Sequence, residues 1–248
     1  MNNLTPLPVE PPEDESSIDH LFRELRAPIT TIKTALSLLD SPSLKPTQRS
    51  KYLEMIRGEC NRQNALLDGT ARLLDIEKQS LANIPANVTE ILPAVVETFQ
   101  PLAGERGISL SCNLPTDVPL PLVSCSAAWL KQIAMNLLDN SLKFTLRGGA
   151  ISVYGTVQSN YVQLEFRDNG VGIHSADLPK IFDRFYRGRN LPPDNPVSYA
   201  GLGLTVVQKI LWRCGGSISV VSQVDTGSRF RVMLPIAPLA PEVIVDGD

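Results

Sequence analysis

The chain has 248 residues, 43% of them hydrophobic, and a formal net charge of −3 at pH 7. This length allows one large domain or two small ones, and an acidic balance argues against nucleic-acid binding, which requires a basic surface. No apolar run approaches the roughly 18–20 residues that a membrane span needs, and four scattered cysteines without a Cys-x-x-Cys pair indicate a reduced, cytoplasmic protein.

The N-terminal part of the chain is predicted to be a disordered tail followed by a helical hairpin. Residues 1–17 are rich in proline and acid, a composition that buries little apolar surface. From Ile18 to Leu39, apolar residues recur at steps of three and four, which predicts an amphipathic helix. After a turn, a second helix carries a heptad-like series: Leu53, Ile56, Cys60, Gln63, Leu67, Thr70 and Leu74. We assign the hairpin to residues 18–82.

Each helix of this hairpin has one apolar stripe, which a hairpin cannot hide by itself. Pairing two copies into a four-helix bundle buries both stripes, and this is the arrangement that we favour. The stripes contain Leu25 and Ile32 on the first helix and Ile56 and Leu67 on the second. The alternative is that the stripes pack on the downstream domain of the same chain.

The remainder of the chain, residues 83–236, mixes strands and helices. Strands are predicted at residues 108–113, 150–157, 162–167, 217–221 and 228–234, and helices at residues 91–100, 126–142, 178–186 and 201–213. Because the helices are inserted among the strands rather than alternating strictly with them, we expect an α+β fold, a two-layer sandwich. The segment 187–200 is predicted to be a lid or a disordered loop, and residues 237–248 an acidic, proline-rich tail.

Two asparagines, Asn136 and Asn140, stand four residues apart on the helix predicted at residues 126–142. They therefore share one helix face, and their amide oxygens suit the hard cation of a metal-bound phosphate. Lys143, about one turn further along, is placed to reach a phosphate. The alternative is a helix that carries solvated asparagines.

Two glycine-rich segments follow. Asp168 ends a predicted strand and precedes Gly170 and Gly172. A carboxylate accepts hydrogen bonds and can take one from the exocyclic amine of adenine, while glycines let the backbone approach the ring; the alternative is a plain turn. Further on, the run Gly201, Leu202, Gly203 and Leu204 opens a predicted helix, whose N-terminal N–H groups suit an anion.

In this order, the three motifs resemble the ATP site of histidine kinases and of the related gyrase, mismatch-repair and heat-shock chaperone ATPases. The resemblance implies that Asn136 and Asn140 hold Mg²⁺ with ATP, that Asp168 binds adenine and that the second glycine segment binds phosphate. It also assigns residues 182–187, which include Tyr186 and Arg187, to a box beside the lid, from which Arg187 or Arg189 reaches the γ-phosphate, although the aromatic residues there are equally consistent with a core. The last glycine box contains Gly227 and Ser228, and here the family usually has glycine at the position of Asp225.

Upstream, residues 22–29 resemble the family's phosphoacceptor box, which normally reads His-Glu-Leu-Arg-Thr-Pro. Arg23 stands where the histidine is expected, and a guanidinium stays protonated and offers no lone pair for attack on phosphorus. Glu24 occupies the position of the general base, while Ala27 replaces the hydroxyl or amide residue used in phosphatase action. His20 is a weak substitute acceptor, because three residues along a helix displace it by about 4.5 Å and rotate it by about 60°.

The resemblance implies a two-component histidine kinase that uses ATP and Mg²⁺. Its expected partners are a second copy or another histidine kinase, in a homodimer or heterodimer, and a response regulator. Because the acceptor box is degenerate, two hypotheses follow. The chain transfers phosphate from ATP to a histidine on a partner kinase, or it is a catalytically deficient pseudokinase that binds ATP and regulates its partner by dimerising. A third, ATP hydrolysis for conformational work, is disfavoured by the acceptor-like hairpin.

Overall fold

A computed structural model of the protein describes residues 16–78, 84–189 and 200–238, with side chains from Phe22 onward. The predicted tails and the boundary between the two predicted domains lie largely outside these residues. Helix α1 spans Ser16–Leu39 and α2 spans Pro46–Lys78, so α1 begins two residues earlier than expected. None of the described helices is both long enough and apolar enough to span a membrane.

The two hairpin helices lie side by side, joined by the short turn that the sequence predicts. Helix α1 runs through Pro28, which is buried. The amide nitrogen Nε2 of Gln63 on α2 donates a 2.8 Å hydrogen bond to the backbone oxygen of Leu25 on α1. This bond satisfies a polar position within the heptad-like series of α2.

The second part of the chain is a five-stranded sheet with helices on one face. The strands are β1 (Ser109–Asn113), β2 (Ala150–Gln158), β3 (Tyr161–Asp168), β4 (Ser217–Gln223) and β5 (Gly227–Pro235), and the helices are α3 (Val88–Glu105), α4 (Ala127–Phe144) and α5 (Gly203–Arg213). The strand order is β1-β2-β3-β5-β4. Only the β1–β2 pair is parallel among these neighbours. The predicted α+β fold is therefore confirmed.

The core lies between the helices and the sheet and fixes the ends of the elements that form the site. Phe166 of β3 is completely buried, as are Leu130 and Ile133 of α4 and Ile210 of α5. In the ladder of β3 and β5, Asp168 stands opposite Ser228. The C-terminal end of β3 is therefore held beside the beginning of β5. These two ends form part of the candidate site described below.

The helix predicted at residues 178–186 is wrong. Only Leu178–Lys180 form a short 3₁₀ turn, and the chain then continues as irregular turns. Phe185 has a φ of 65°, a left-handed conformation that cannot continue a right-handed helix. Its backbone N–H donates instead to the carbonyl of Gly201 at 3.0 Å, which ties this segment to the start of α5.

Helix α2 uses two different faces. Leu66, Leu73 and Ile76 are buried within the chain, and at α5 the ammonium Nζ of Lys209 lies 3.2 Å from Glu77 Oε1. In the predicted stripe of α2, by contrast, Leu53, Cys60, Leu67 and Leu74 stay exposed, with Leu67 at 57% and Leu74 at 48%, whereas Ile56, Gln63 and Thr70 are half-buried. Packing on the downstream part of the chain therefore occurs, but through another face than the predicted stripe.

Candidate functional site

A cavity of about 290 Å³ lies where α4, the end of β3 and the start of α5 meet. It brings together most of the predicted site residues, which line it: Asn136, Asn140, Lys143, Asp168, Gly172, Tyr186, Arg187, Gly201, Leu202, Gly203, Leu204 and Ser228. Gly170 and Gly227 do not line the cavity, but both contact Asp168: Gly170 through a hydrogen bond and Gly227 through close backbone packing. Three motifs that are far apart in sequence thus form one site.

Asp168 is held by backbone donors at the floor of this cavity. Its Oδ1 accepts hydrogen bonds from the N–H of Gly170 at 3.0 Å and from the N–H of Ser228 at 3.2 Å. Burial raises the pKa of Asp168 to about 6, although these two hydrogen bonds act in the opposite direction. A Cβ on Gly227 would lie 2.0 Å from the backbone oxygen of Asp168, so only glycine fits there. The second oxygen, Oδ2, accepts no hydrogen bond from the residues that the structure describes, and is therefore available to a ligand.

The two asparagines of α4 face the beginning of α5. A Cβ on Gly203 would lie 3.5 Å from Asn136 Oδ1 and 4.0 Å from Asn140 Oδ1. The missing side chain therefore leaves space into which both amide oxygens point. Asn136 Nδ2 is buried and has no hydrogen-bond partner among the described residues, an arrangement that is rare without a ligand. Lys143 forms an ion pair with Asp139, one turn earlier, at the same wall.

The start of α5 is built to receive an anion. Gly201 has a φ of 69°, and Leu202, at the cap position of the helix, offers no capping side chain. The first N–H groups of any helix have no acceptor within the helix. In α5 these donors begin at the cavity wall formed by Gly203 and Leu204, where an anion would satisfy them. The residues present therefore fit the magnesium and triphosphate that the sequence implies.

The base of the predicted lid is organised by Asp177, which the sequence analysis missed. Asp177 Oδ1 accepts a 2.9 Å hydrogen bond from the hydroxyl of Tyr186, and Oδ2 accepts a 3.0 Å bond from the backbone N–H of Arg189. The bond from Arg189 is the main reason that the pKa of Asp177 is lowered. Asp177 therefore holds Tyr186 and Arg189 in place before the predicted lid, and Tyr186 and Arg187 line the cavity. Residues 190–199 of the predicted lid lie outside the described part of the chain.

One wall of the cavity comes from the hairpin. Ala65, Asp68, Gly69 and Arg72 of α2 line it. Their spacing of three and four places them on one face of α2, but no motif in the sequence marks this face as part of a site. Among the described residues that line the cavity, none belongs to α1, the helix of the acceptor box.

The acceptor box itself has a specific local arrangement. Arg23 and Ala27 are exposed on α1. The guanidinium Nη2 of Arg62 on α2 donates a 2.6 Å hydrogen bond to Glu24 Oε2, and both side chains are mostly buried. The carboxylate that would activate a histidine is therefore paired across the hairpin. The side chain of His20 lies outside the described residues.

Residues 125–238 match the family model for histidine kinase-, DNA gyrase B- and HSP90-like ATPases. The chain is 30% identical over 226 residues to Drug sensory protein A of Synechocystis, over 243 residues to sensor histidine kinase Hik2 of Thermosynechococcus vestitus and over 234 residues to the signal transduction histidine-protein kinase BarA of Escherichia coli. These alignments cover 86%, 94% and 92% of the chain but only 34%, 62% and 25% of the three relatives, respectively.

Solved structures show the same fold. Histidine kinase ThkA in complex with response regulator protein TrrA aligns with a TM-score of 0.69 at 21% identity, over 90% of this chain and 62% of that one. Full-length ShkA in complex with AMPPNP aligns with a TM-score of 0.62 at 24% identity, over 91% of this chain and 46% of that one. Both alignments extend beyond the ATPase-like part into the hairpin, since they cover about nine tenths of the chain.

Proposed function

We propose, on the premise that this chain belongs to the histidine kinase family, that it binds Mg-ATP in the cavity and transfers the γ-phosphoryl group to a histidine of a partner kinase. The observation that carries this proposal is a contrast within one molecule. The nucleotide motifs converge on a single cavity, whereas the acceptor position holds Arg23.

The cavity residues have distinct roles in this proposal. Asp168 accepts a hydrogen bond from the exocyclic amine of adenine through Oδ2. Asn136 and Asn140 hold Mg²⁺ through their amide oxygens, and a bound Mg²⁺ neutralises charge on the transferring phosphoryl group. The N–H groups at the start of α5 bind phosphate oxygens, and the charge of Lys143 reinforces them.

The acceptor must bring a nitrogen lone pair to phosphorus. A neutral imidazole nitrogen forms the new N–P bond while the bond from the γ-phosphorus to the bridging oxygen breaks and ADP leaves. The residue after the acceptor polarises the imidazole as a general base. In this chain a guanidinium occupies the acceptor position, so the attacking histidine is supplied by another chain.

The partner is recruited through the exposed stripes of the hairpin. Phe22, Ile29 and Leu36 on α1 follow one another at steps of seven, and each is about half exposed, at 56%, 46% and 50%. On α2, Leu53, Cys60, Leu67 and Leu74 continue the same period and are also exposed. Apolar residues at this spacing form the seam of a helical bundle. A second copy or another histidine kinase completes a four-helix bundle in the cytoplasm, with a response regulator as the downstream partner.

A second candidate function is that of an ATP-binding pseudokinase, which regulates a partner histidine kinase by dimerising with it. The observation that favours this candidate is the pairing of Glu24 with Arg62 next to the replaced acceptor. A charged pair in this position holds the hairpin together where an active kinase needs a base that is available to the acceptor.

Mixing two forms of this chain separates the two candidates. An Arg23→His/Asn140→Ala double variant supplies an acceptor but lacks a metal ligand, and the natural chain supplies an intact cavity. The mixed dimer is co-purified and incubated with γ-labelled ATP, and the double variant is incubated separately. We expect label on the double variant when it is paired with the natural chain, and none when it is incubated by itself. A mixed dimer that binds Mg-ATP without labelling either chain would favour the pseudokinase.

A further inference from the structure

Helix α2 carries two charged side chains, Asp68 and Arg72, into the wall of the nucleotide cavity. They are four residues apart and lie on one face of the helix. The other two lining residues of α2, Ala65 and Gly69, are small and bring this face close to the ATPase part. The hairpin therefore contributes charge to the site as well as covering it.

The position of α2 is fixed by packing on both sides of these residues. A Cβ on Gly69 would lie 2.6 Å from Leu202 Cδ1, so α2 approaches the cap of α5 more closely than a larger residue allows. Leu66 and Leu73 are buried beside this contact. Eight residues beyond Gly69, Glu77 pairs with the buried Lys209. The register of α2 against α5 thus follows from several contacts.

This register brings the face of α2 that carries Arg72 to the start of α5, the part of the cavity wall to which phosphate is assigned above. Leu202, which Gly69 contacts, is the cap residue of α5 and stands between Gly201 and Gly203 in the sequence. Arg72 is three residues beyond Gly69, about one helical turn, and its side chain lines the cavity. A guanidinium is the side chain best suited to two oxygens of one phosphate.

We propose that Arg72 is a nucleotide-binding residue supplied by the hairpin, whose guanidinium binds the terminal phosphates of a nucleoside triphosphate in the cavity. Asp68, on the same wall, repels the same phosphates and limits the affinity. This proposal rests on the function proposed above, that the cavity binds ATP. Bound ATP then connects α2 to the ATPase domain through its phosphates. Adenosine has no phosphates and makes no such connection.

Calorimetric titration of the full chain with Mg-ATP, Mg-ADP and adenosine tests the role of Arg72. Arg72→Gln is expected to weaken Mg-ATP binding about tenfold, because a hydrogen bond between two charged groups is lost, and to leave adenosine binding unchanged. Asp68→Asn is expected to tighten Mg-ATP binding, because it removes a repulsive charge. Arg57→Gln, an exposed arginine of α2 that does not line the cavity, is the matched control.

The ligand series separates a phosphate contact from a structural role. Equal losses for Mg-ATP and adenosine in Arg72→Gln would mean that the variant only disturbs packing, and would overturn the proposal. Unchanged Mg-ATP affinity in Arg72→Gln, with the natural chain still binding Mg-ATP, would also overturn it while leaving the proposed function in place. If the natural chain binds neither Mg-ATP nor adenosine, the proposed function fails and the role of Arg72 fails with it.

Discussion

Arg62 Nη2 lies 2.6 Å from Oε2 of Glu24, the residue directly after Arg23, which stands at the proposed acceptor position. The side chains of Arg62 and Glu24 are only 14% and 25% exposed, so solvent screens this pair less than a surface ion pair. The change at the acceptor position is therefore accompanied by a contact that occupies the neighbouring carboxylate. This pair and the intact cavity lead to the predictions below.

The first prediction concerns the adenine acceptor. Asp168→Asn should weaken Mg-ATP binding roughly 10- to 100-fold, because an amide donor then opposes the amine donor of adenine and a charge-assisted hydrogen bond is lost. Calorimetry measures the affinity. Asp117→Asn, an exposed carboxylate outside the cavity, serves as the control and should bind normally. Unchanged affinity in Asp168→Asn would remove the assignment of this residue to adenine.

The second prediction is a pH dependence of nucleotide binding that depends on Asp168. Burial raises its pKa to about 6 in the folded protein, above the ordinary value of 3.8. Its carboxylate is therefore ionised above about pH 6 and protonated below it, so adenosine affinity should fall as the pH drops through 6. Fluorescence or calorimetric titration between pH 5 and 8 is the measurement, and Asp168→Asn should show a flat profile across about the same range.

The same shift has a consequence for the stability of the protein without nucleotide. Because the pKa of Asp168 is raised in the folded state, that state binds more protons than the unfolded state between pH 3.8 and about 6. The contribution of this residue to folding stability therefore decreases as the pH rises through that window and stays low above it. A pH series of urea midpoints should show this dependence reduced in Asp168→Asn.

The local parts of the site could be predicted from the sequence, and its long-range parts could not. Asn136 and Asn140 share a face because of helix geometry alone, and Gly201 marks a helix start. The wall formed by Arg72, by contrast, depends on how α2 packs against Leu202, which no local pattern encodes. Asp177 was missed for the same reason, since its partners Tyr186 and Arg189 lie nine and twelve residues away across an irregular segment.

The incorrect helix at residues 178–186 has a related cause. Its apolar spacing resembles that of a helix, yet Phe185 takes a left-handed conformation and bonds to Gly201. A tertiary contact thus outweighs local propensity. At Asp225, by contrast, the backbone conformation is retained although the residue type differs from that of the family. Asp225 has a φ of 59°, a conformation that glycine favours, where the family usually has glycine.

The third prediction concerns the exposed stripe of the hairpin. Leu67→Glu should weaken dimerisation about 100-fold or more, because a charge without a partner in an apolar seam costs several kcal/mol. Light scattering of the full chain at micromolar concentration measures the mass. Asn61→Glu places the same charge on an exposed position of α2 outside the stripe and should remain dimeric. A natural chain that is monomeric at this concentration would contradict the bundle.

The most direct test of the account is incubation of the natural chain and Arg23→His with γ-labelled ATP, after Mg-ATP binding by both has been measured. We expect no acid-labile, base-stable label on the natural chain. Arg23→His should be partially labelled, since the new imidazole has Glu24 beside it but Arg62 and Ala27 are unchanged. Acid-labile labelling of the natural chain that disappears in His20→Gln would contradict the account and make His20 the acceptor. Arg23→His that binds Mg-ATP but stays unlabelled would contradict transfer by this ATPase domain.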